Sequence, residues 1–475
     1  MPTPSDYGLP YATLRPMQTS ALEWLRGQTA RVRLIEAPPG VGKTLLAAMW
    51  AYNQDRPVCI LTATLSLLSQ YEAMGIPVIR GRANFRCQYG GTCDDGSAEE
   101  GCTPKICPYL RAKLLAMRAP VYATTYAAYL TDSRVRLGSP VIVCDEGQRV
   151  DDLLSVWYGV SLTVPPKTNP QPPQGTNLAD WRAWSRDTRP WGHTPGAYER
   201  TKRLLKKLQS LEDRNDWVTT YSNHHLLVRP LWPDQAWQLA MSAAQTILIQ
   251  SATLYGGHFF AKMLGINDYS ILSLDSPFSA DQRPVYIIPA ANLNYHSSDG
   301  DWLKIGRACA DIIHAAGNTK GLIHVSSRFQ VERLHKMFQD LLPTTQMLYH
   351  TLETRHKRQQ LFDSFRQLPS PVWLVSSSAF EGEDFPEDQL RVQIIAKVRY
   401  GDMSDPLVKA RAEYGPRGKM WYYAKAVADT CQGVGRAMRS DLDWGTTYIL
   451  DGQIQNLLRY HRELWPKYVL EAIVK

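Results

Sequence analysis

Short apolar runs of four to six residues recur along the chain, separated by stretches with helically spaced apolar positions. That alternation predicts a parallel α/β architecture, because strands covered by helices on both faces read as near-continuous apolar runs. The first half predicts strands at 32–36, 58–62, 121–124, 141–144 and 247–250, and a second set follows at 285–288, 322–325, 373–376, 392–396 and 447–450. Two successive strand sets imply two doubly wound lobes. Residues 85–113 break the rhythm, being rich in Gly, Cys and Asp. Residues 151–240 break it again, with a Pro-rich stretch at 165–173 and helical patterns near 178–187 and 196–213. Strand-like runs resume after each, so both read as insertions into the first lobe. The expected organisation is a first lobe from 1–84, 114–150 and 241–280, inserts at 85–113 and 151–240, and a second lobe at 281–475.

At 475 residues the chain exceeds one ordinary core. No apolar run approaches the ~18 residues that span a bilayer, so no membrane contact is expected. The opening Met1-Pro2-Thr3-Pro4-Ser5 has neither a basic nor an apolar leader region, and a cytosolic protein is expected. A net charge of +8 suits a polyanionic partner without requiring one. The 14 Trp and 24 Tyr supply either core or stacking platforms for unpaired bases.

The chemistry begins at residues 37–44, Ala-Pro-Pro-Gly-Val-Gly-Lys-Thr, between a predicted strand and a helical run. This strand, Gly-rich turn and helix make a P-loop. Gly40 and Gly42 let backbone N–H groups approach phosphates at a helix N-terminus. Lys43 is expected to reach the β- and γ-phosphates and Thr44 to ligate Mg²⁺. Residues 141–146, Val-Ile-Val-Cys-Asp-Glu, place two carboxylates at a strand end. Asp145 is expected to hold Mg²⁺, and Glu146 to orient and deprotonate the attacking water. Either string alone is a modest signal; a chance turn or a solvated strand end is the bland alternative.

Four of the eight cysteines, Cys87, Cys93, Cys102 and Cys107, form a C-x5-C-x8-C-x4-C cluster. Tight clustering in a reducing compartment reads as a metal site, and spacing leaves a 4Fe–4S cluster and structural zinc nearly balanced. Arg80, Arg82, Arg86, Lys105, Arg111 and Lys113 surround it and offer a surface for a phosphate backbone, or simply a solvated loop.

Taken in order, these stretches resemble the XPD/DinG family of superfamily-two helicases. Arg15-Pro16-x-Gln18 is similar to its adenine-reading Q motif, and Glu36 to Thr44 to its motif I. The stretch from Gly81 to Cys87 resembles the lead into its iron–sulfur domain, and Ser251-Ala252-Thr253-Leu254 resembles motif III. The run from Phe380 to Pro386 resembles motif V, Asp405 to Arg411 is a family phrase, and Gln432 to Ser440 resembles motif VI. The resemblance implies two RecA-like lobes with an iron–sulfur insert at 85–113 and an arch-like insert at 151–240. It implies ATP and Mg²⁺ as cofactors, with Arg15, Gln18, Glu381, Asp384 and Gln432 at the nucleotide and Arg436 and Arg439 as arginine fingers. It favours a 4Fe–4S cluster over zinc. It implies an ATP-dependent helicase moving 5′→3′ on single-stranded DNA, acting on forked duplexes and expected to be a monomer. The family's Asp-Glu-Ala-His is here Asp145-Glu146-Gly147-Gln148, so the contact its His makes toward the second lobe falls to Gln148. A P-loop switch or kinase with a zinc-stabilised insert, or a scaffold without catalysis, are the competing readings. The first predicts one core lobe with no need for Arg436 and Arg439.

Overall fold

The runs VRLIE, VCILT and VIVCD are mostly apolar and almost wholly buried, as befits strands covered on both sheet faces. They lie in the central part of a parallel sheet. The computed structural model describes residues 2–88, 90–95, 102–212, 216–350, 355–378, 385, 387–434 and 443–474. Ten described strands build the first part of the chain: β1 (Val32–Glu36), β2 (Val58–Thr62), β3 (Val78–Ile79), β4 (Val121–Thr125), β5 (Val141–Asp145), β6 (Val160–Thr163), β7 (Trp217–Ser222), β8 (His225–Pro230), β9 (Thr246–Ser251) and β10 (Tyr269–Ser273). Six follow: β11 (Val285–Ala291), β12 (Lys320–His324), β13 (Gln346–Tyr349), β14 (Val372–Ser376), β15 (Val392–Ile395) and β16 (Thr446–Asp451).

The first sheet is seven-stranded in the order β10-β1-β9-β5-β2-β4-β3, and the second six-stranded in the order β11-β16-β15-β12-β14-β13. All pairings in both are parallel. Two doubly wound lobes result, as the sequence pattern predicts. The chain leaves β1 for β2 and later fills the gap with β5 and β9, so the carboxyl ends of β1, β9 and β5 meet side by side. Register aligns Glu36 with Ser251 and Asp145 with Gln250. Ligands of open α/β sheets bind outside such carboxyl ends.

The segment 151–240 adds what the sequence pattern did not reveal, a small antiparallel sheet in the order β6-β8-β7. It packs with the helices Leu178–Asp187 and Pro195–Ser210 around Trp181, Trp184, Leu205 and Leu208. Trp191 packs against the same cluster, so these tryptophans belong to the small core of this segment. His225 lies between the Ser161 and Thr163 hydroxyls, each 3.2 Å from a ring nitrogen. The two lobes share buried apolar ground. One cluster runs from Ile142, Val150 and Leu254 into Trp421, Val427 and Cys431 of the helix Gly415–Val434, and on to Trp465 and Tyr468 near the chain end. No described helix is long and apolar enough to cross a membrane.

Candidate active site

The turn between β1 and the helix Lys43–Tyr52 holds Gly40 at φ 82° and Gly42 at φ 81°, a left-handed region costly for residues with a Cβ. Space forbids one as well. A Cβ on Gly40 would lie 2.3 Å from the Phe278 ring, and one on Gly42 2.5 Å from the Gln18 amide nitrogen. Gln18 braces this turn by donating to the Val41 carbonyl at 2.9 Å and the Gly42 carbonyl at 3.1 Å. The Arg15 backbone N–H donates to Gln18 Oε1 at 2.9 Å, and the Arg15 guanidinium donates to the Gly40 carbonyl. Arg15 and Gln18 are thus brought to the P-loop and engaged with its backbone. Lys43 Nζ lies 3.4 Å from the Ala37 carbonyl, and the Thr44 hydroxyl 3.4 Å from Gln70 Oε1.

Across the sheet, Asp145 is buried and accepts from the Tyr71 hydroxyl at 2.8 Å and from Gln250 Nε2 at 3.0 Å. Gln250 also donates to the Lys43 carbonyl at 3.0 Å, tying β9 to both halves of the site. Burial first, then the neighbouring Glu146 charge, raises the Asp145 pKa above the usual carboxylate range; Tyr71, Gln250 and Lys43 oppose that rise. Glu36, at the end of β1, is buried too. It accepts from the Leu254 N–H at 3.0 Å and the Ser273 hydroxyl at 3.3 Å, and burial raises its pKa.

Glu146 has φ 52°, uncommon for a residue with a side chain. Gln148 Nε2 donates to Glu146 Oε2 at 2.7 Å, while the Ser251 hydroxyl donates to Gln148 Oε1. The Tyr255 hydroxyl donates to the Gln148 carbonyl at 2.9 Å. These partners of Gln148 all belong to the first lobe, so its hydrogen bonds turn inward and not across the cleft as the sequence suggested. A Cβ on Gly147 would lie 2.2 Å from Ile249 Cγ2, which explains glycine where the family carries alanine. From the second lobe, Gln432 lines a cavity of about 190 Å³ together with Gln148, Asp152, Tyr255 and Lys425. Glu381, Asp384, Arg436 and Arg439 lie outside the described residues. The sequence did not single out Tyr71, Gln250, Tyr255 or Lys425 as site residues; the one available signal was a glutamine inside the apolar run TILIQS.

The four clustered cysteines are drawn together only in part. Gly90 and Gly91 turn the chain so that Cys87 N–H meets the Gly91 carbonyl at 3.1 Å and Cys93 N–H meets the Phe85 carbonyl at 2.8 Å. Cys107 immediately precedes the helix Pro108–Arg118, and its sulfur lies 3.9 Å from that of Cys93. Burial, then the neighbouring Cys107, raises the Cys93 thiol to about 12. Among the described residues no group of three or more His, Cys, Asp or Glu stands at metal-binding spacing. The thiols Cys93 and Cys107 fit as a pair of soft ligands, with Cys87 on the same turn and Cys102 half-buried. Two of the surrounding cations are neutralised, Arg80 by Glu72 at 2.6 Å and Lys113 by Asp132. Arg82 lies over the Tyr109 ring at 5.4 Å, and Arg111 donates to the Lys105 carbonyl at 2.7 Å.

A family profile described as a helicase C-terminal domain matches residues 311–469. The ATP-dependent DNA helicase YoaA of Escherichia coli is 27% identical over 273 residues, covering 54% of this chain and 42% of that protein. The ATP-dependent DNA helicase DinG of Photobacterium profundum is 28% identical over 241 residues, covering 48% of this chain and 34% of that protein. A solved structure entitled XPD_Helicase superposes with a TM-score of 0.66 at 16% identity, covering 98% of this chain and all of that one. Over these stretches the chain is similar to the DinG and YoaA helicases, and in fold to the XPD structure. It spans less than half the length of the DinG and YoaA relatives it matches. Like the XPD structure, this chain is α/β with two RecA-like lobes. Its P-loop and Asp145-Glu146 pair sit at the ends of β1 and β5, on either side of β9 in the first lobe.

Proposed function

We propose that this chain binds ATP with Mg²⁺ in the cleft between its lobes, hydrolyses it, and uses the cycle to move 5′→3′ along single-stranded DNA and open forked duplexes, acting as a monomer. One observation carries the hydrolytic reading. Gln250 on β9 joins the Lys43 carbonyl to Asp145, and Gln148, which donates to Glu146, lines one cavity with Gln432 of the second lobe. In this reading Lys43 holds the β- and γ-phosphates, Thr44 and Asp145 hold Mg²⁺, and Glu146 takes the proton of the attacking water. Gln18 and Arg15 would exchange their P-loop contacts for the adenine. Arg436 and Arg439, with Glu381 and Asp384, would approach the nucleotide from the second lobe, offsetting charge that develops on the γ-phosphoryl group.

The DNA substrate follows from the named activities of the relatives and the direction from the family resemblance. The segment 85–113 is read as the iron–sulfur insert and 151–240 as an arch, with Cys87, Cys93, Cys102 and Cys107 holding a 4Fe–4S cluster. Such a cluster would give a short, loop-rich segment its rigidity. Zinc on the same thiolates is the second reading, favoured by the 3.9 Å approach of two sulfurs, close to the edge of a tetrahedron of ~2.3 Å metal–sulfur bonds. Two forked duplexes, one with a 5′ and one with a 3′ single-stranded tail, test the motor reading. ATP-dependent strand separation of the 5′-tailed fork is expected, and preference for the 3′-tailed fork refutes the direction.

A further inference from the structure

The hydrogen bonds around Glu146 continue beyond the phosphate site in one direction. Gln148 donates to the Glu146 carboxylate, and its carbonyl accepts from Tyr255. The Tyr255 oxygen in turn accepts from Lys425 Nζ at 3.3 Å, and Lys425 pairs with Asp152 at 2.9 Å. Lys425 stands on the second lobe, on the helix Gly415–Val434, seven residues before Gln432. At 3.6 residues per turn the two share a face, and both open on the cavity that also exposes Gln148 and Tyr255. A single file of donors therefore runs from the second lobe to the residue proposed to activate water.

Backbone conformation marks the same path. Tyr255 has φ 51° and Glu146 φ 52°, and both carry side chains that disfavour this left-handed region. Non-glycine residues persist there only where their surroundings over-determine them, and such residues cluster at functional sites. Tyr255 is buried, followed by Gly256 and Gly257 at φ 72° and 61°, and a Cβ on Gly256 would lie 2.8 Å from the Glu463 carbonyl. The turn is thus pinned from the second lobe on two sides, by Lys425 and by the segment around Glu463.

We infer that Tyr255 and Lys425 are positioning residues that make the alignment of Glu146 depend on where the second-lobe helix sits. This rests on the ATPase reading above and adds a route by which lobe position governs hydrolysis. Both act through Gln148. Withdrawal of the helix takes Lys425 from the Tyr255 oxygen and loosens the hold on Gln148, and its return restores Glu146.

Tyr255→Phe, which removes one hydroxyl, and Lys425→Met, which removes the charge, test the link together. Each is expected to lower DNA-stimulated kcat by about tenfold with KM for ATP nearly unchanged, and the double variant to be no worse than either alone. Lys425→Arg, which keeps charge and donors, is expected to restore most of the rate. Hydrogen exchange at residues 146–149 of the nucleotide-free protein reads the same link without turnover, and both variants should accelerate it. A fully active Tyr255→Phe with unchanged exchange overturns the inference. Additive losses that merely track thermal stability also overturn it, assigning Lys425 to pairing with Asp152 alone. A wild-type protein that fails to hydrolyse ATP, yet shows accelerated exchange in both variants, sinks the ATPase reading and leaves the positioning link standing.

Discussion

In the proposed site Asp145 serves as a magnesium ligand, a task that needs its charged form, while burial and Glu146 both favour its neutral form. Tyr71 opposes them through a 2.8 Å hydrogen bond to the carboxylate. Removing that hydroxyl in Tyr71→Phe leaves the charged form less favoured, so the Asp145 pKa rises further. The acid limb of the ATPase pH profile should then move to higher pH, with Mg²⁺ affinity weakened severalfold more at pH 6 than at pH 8. A profile superimposable on wild type would contradict the role given to Tyr71. Lys43, Thr44, Asp145 and Glu146 were legible because each lies in a short string whose chemistry demands neighbours in sequence. Tyr71, Gln250 and Tyr255 were not, since only sheet register and helix packing bring them to the site from 74, 105 and 107 residues away from their partners. Gln148 was legible as a departure, but its inward bonding depends on Ser251 and Tyr255.

The ten predicted strands all form, because runs such as VWLVS and VCILT have no other stable place than a covered parallel sheet. The strands that escaped notice are edges or half-buried. The two-residue β3 is too short to show a pattern, β10 and β13 are edge strands, and β6 and β8 bury only alternate residues such as Val160, Leu162, Leu226 and Val228. The sequence reads the cysteine-bearing segment as a metal site; among the described residues Cys93 and Cys107 approach each other at 3.9 Å, but no group of three or more His, Cys, Asp or Glu stands at metal-binding spacing. Cys107→Ser is expected to abolish iron binding and to melt this segment locally, while much of the DNA-stimulated ATPase remains and unwinding is lost. Iron content, limited proteolysis within 85–113 and a strand-separation assay on one preparation check all three. Unwinding at the wild-type rate would remove the role assigned to the four thiols, and stoichiometric zinc would replace the cluster by a structural zinc site.

At the scale of the whole molecule, two parallel sheets share a buried core through Leu254, Trp421 and Cys431, so the lobes are joined through apolar contacts. Ion pairs cross near the same place, Lys425 to Asp152 at 2.9 Å and Arg229 to Asp405 at 2.9 Å. This arrangement was visible in the sequence only as two strand sets and a motif order; which helix meets which strand end follows from packing. In the two-lobed account Arg436→Ala should lower kcat by ~10³–10⁵ while ATP affinity changes little, as for an arginine that acts on transition-state charge. A raised KM with kcat intact would place Arg436 elsewhere. The central claim is that ATP hydrolysis at Lys43, Thr44, Asp145 and Glu146 is driven by single-stranded DNA across these lobes. Steady-state ATPase of the purified protein, with and without single-stranded DNA and beside Lys43→Ala, tests it most directly. The account predicts hydrolysis strongly stimulated by DNA in the wild type and abolished in Lys43→Ala, with DNA binding retained by both. Hydrolysis indifferent to DNA, or undiminished in Lys43→Ala, would contradict it.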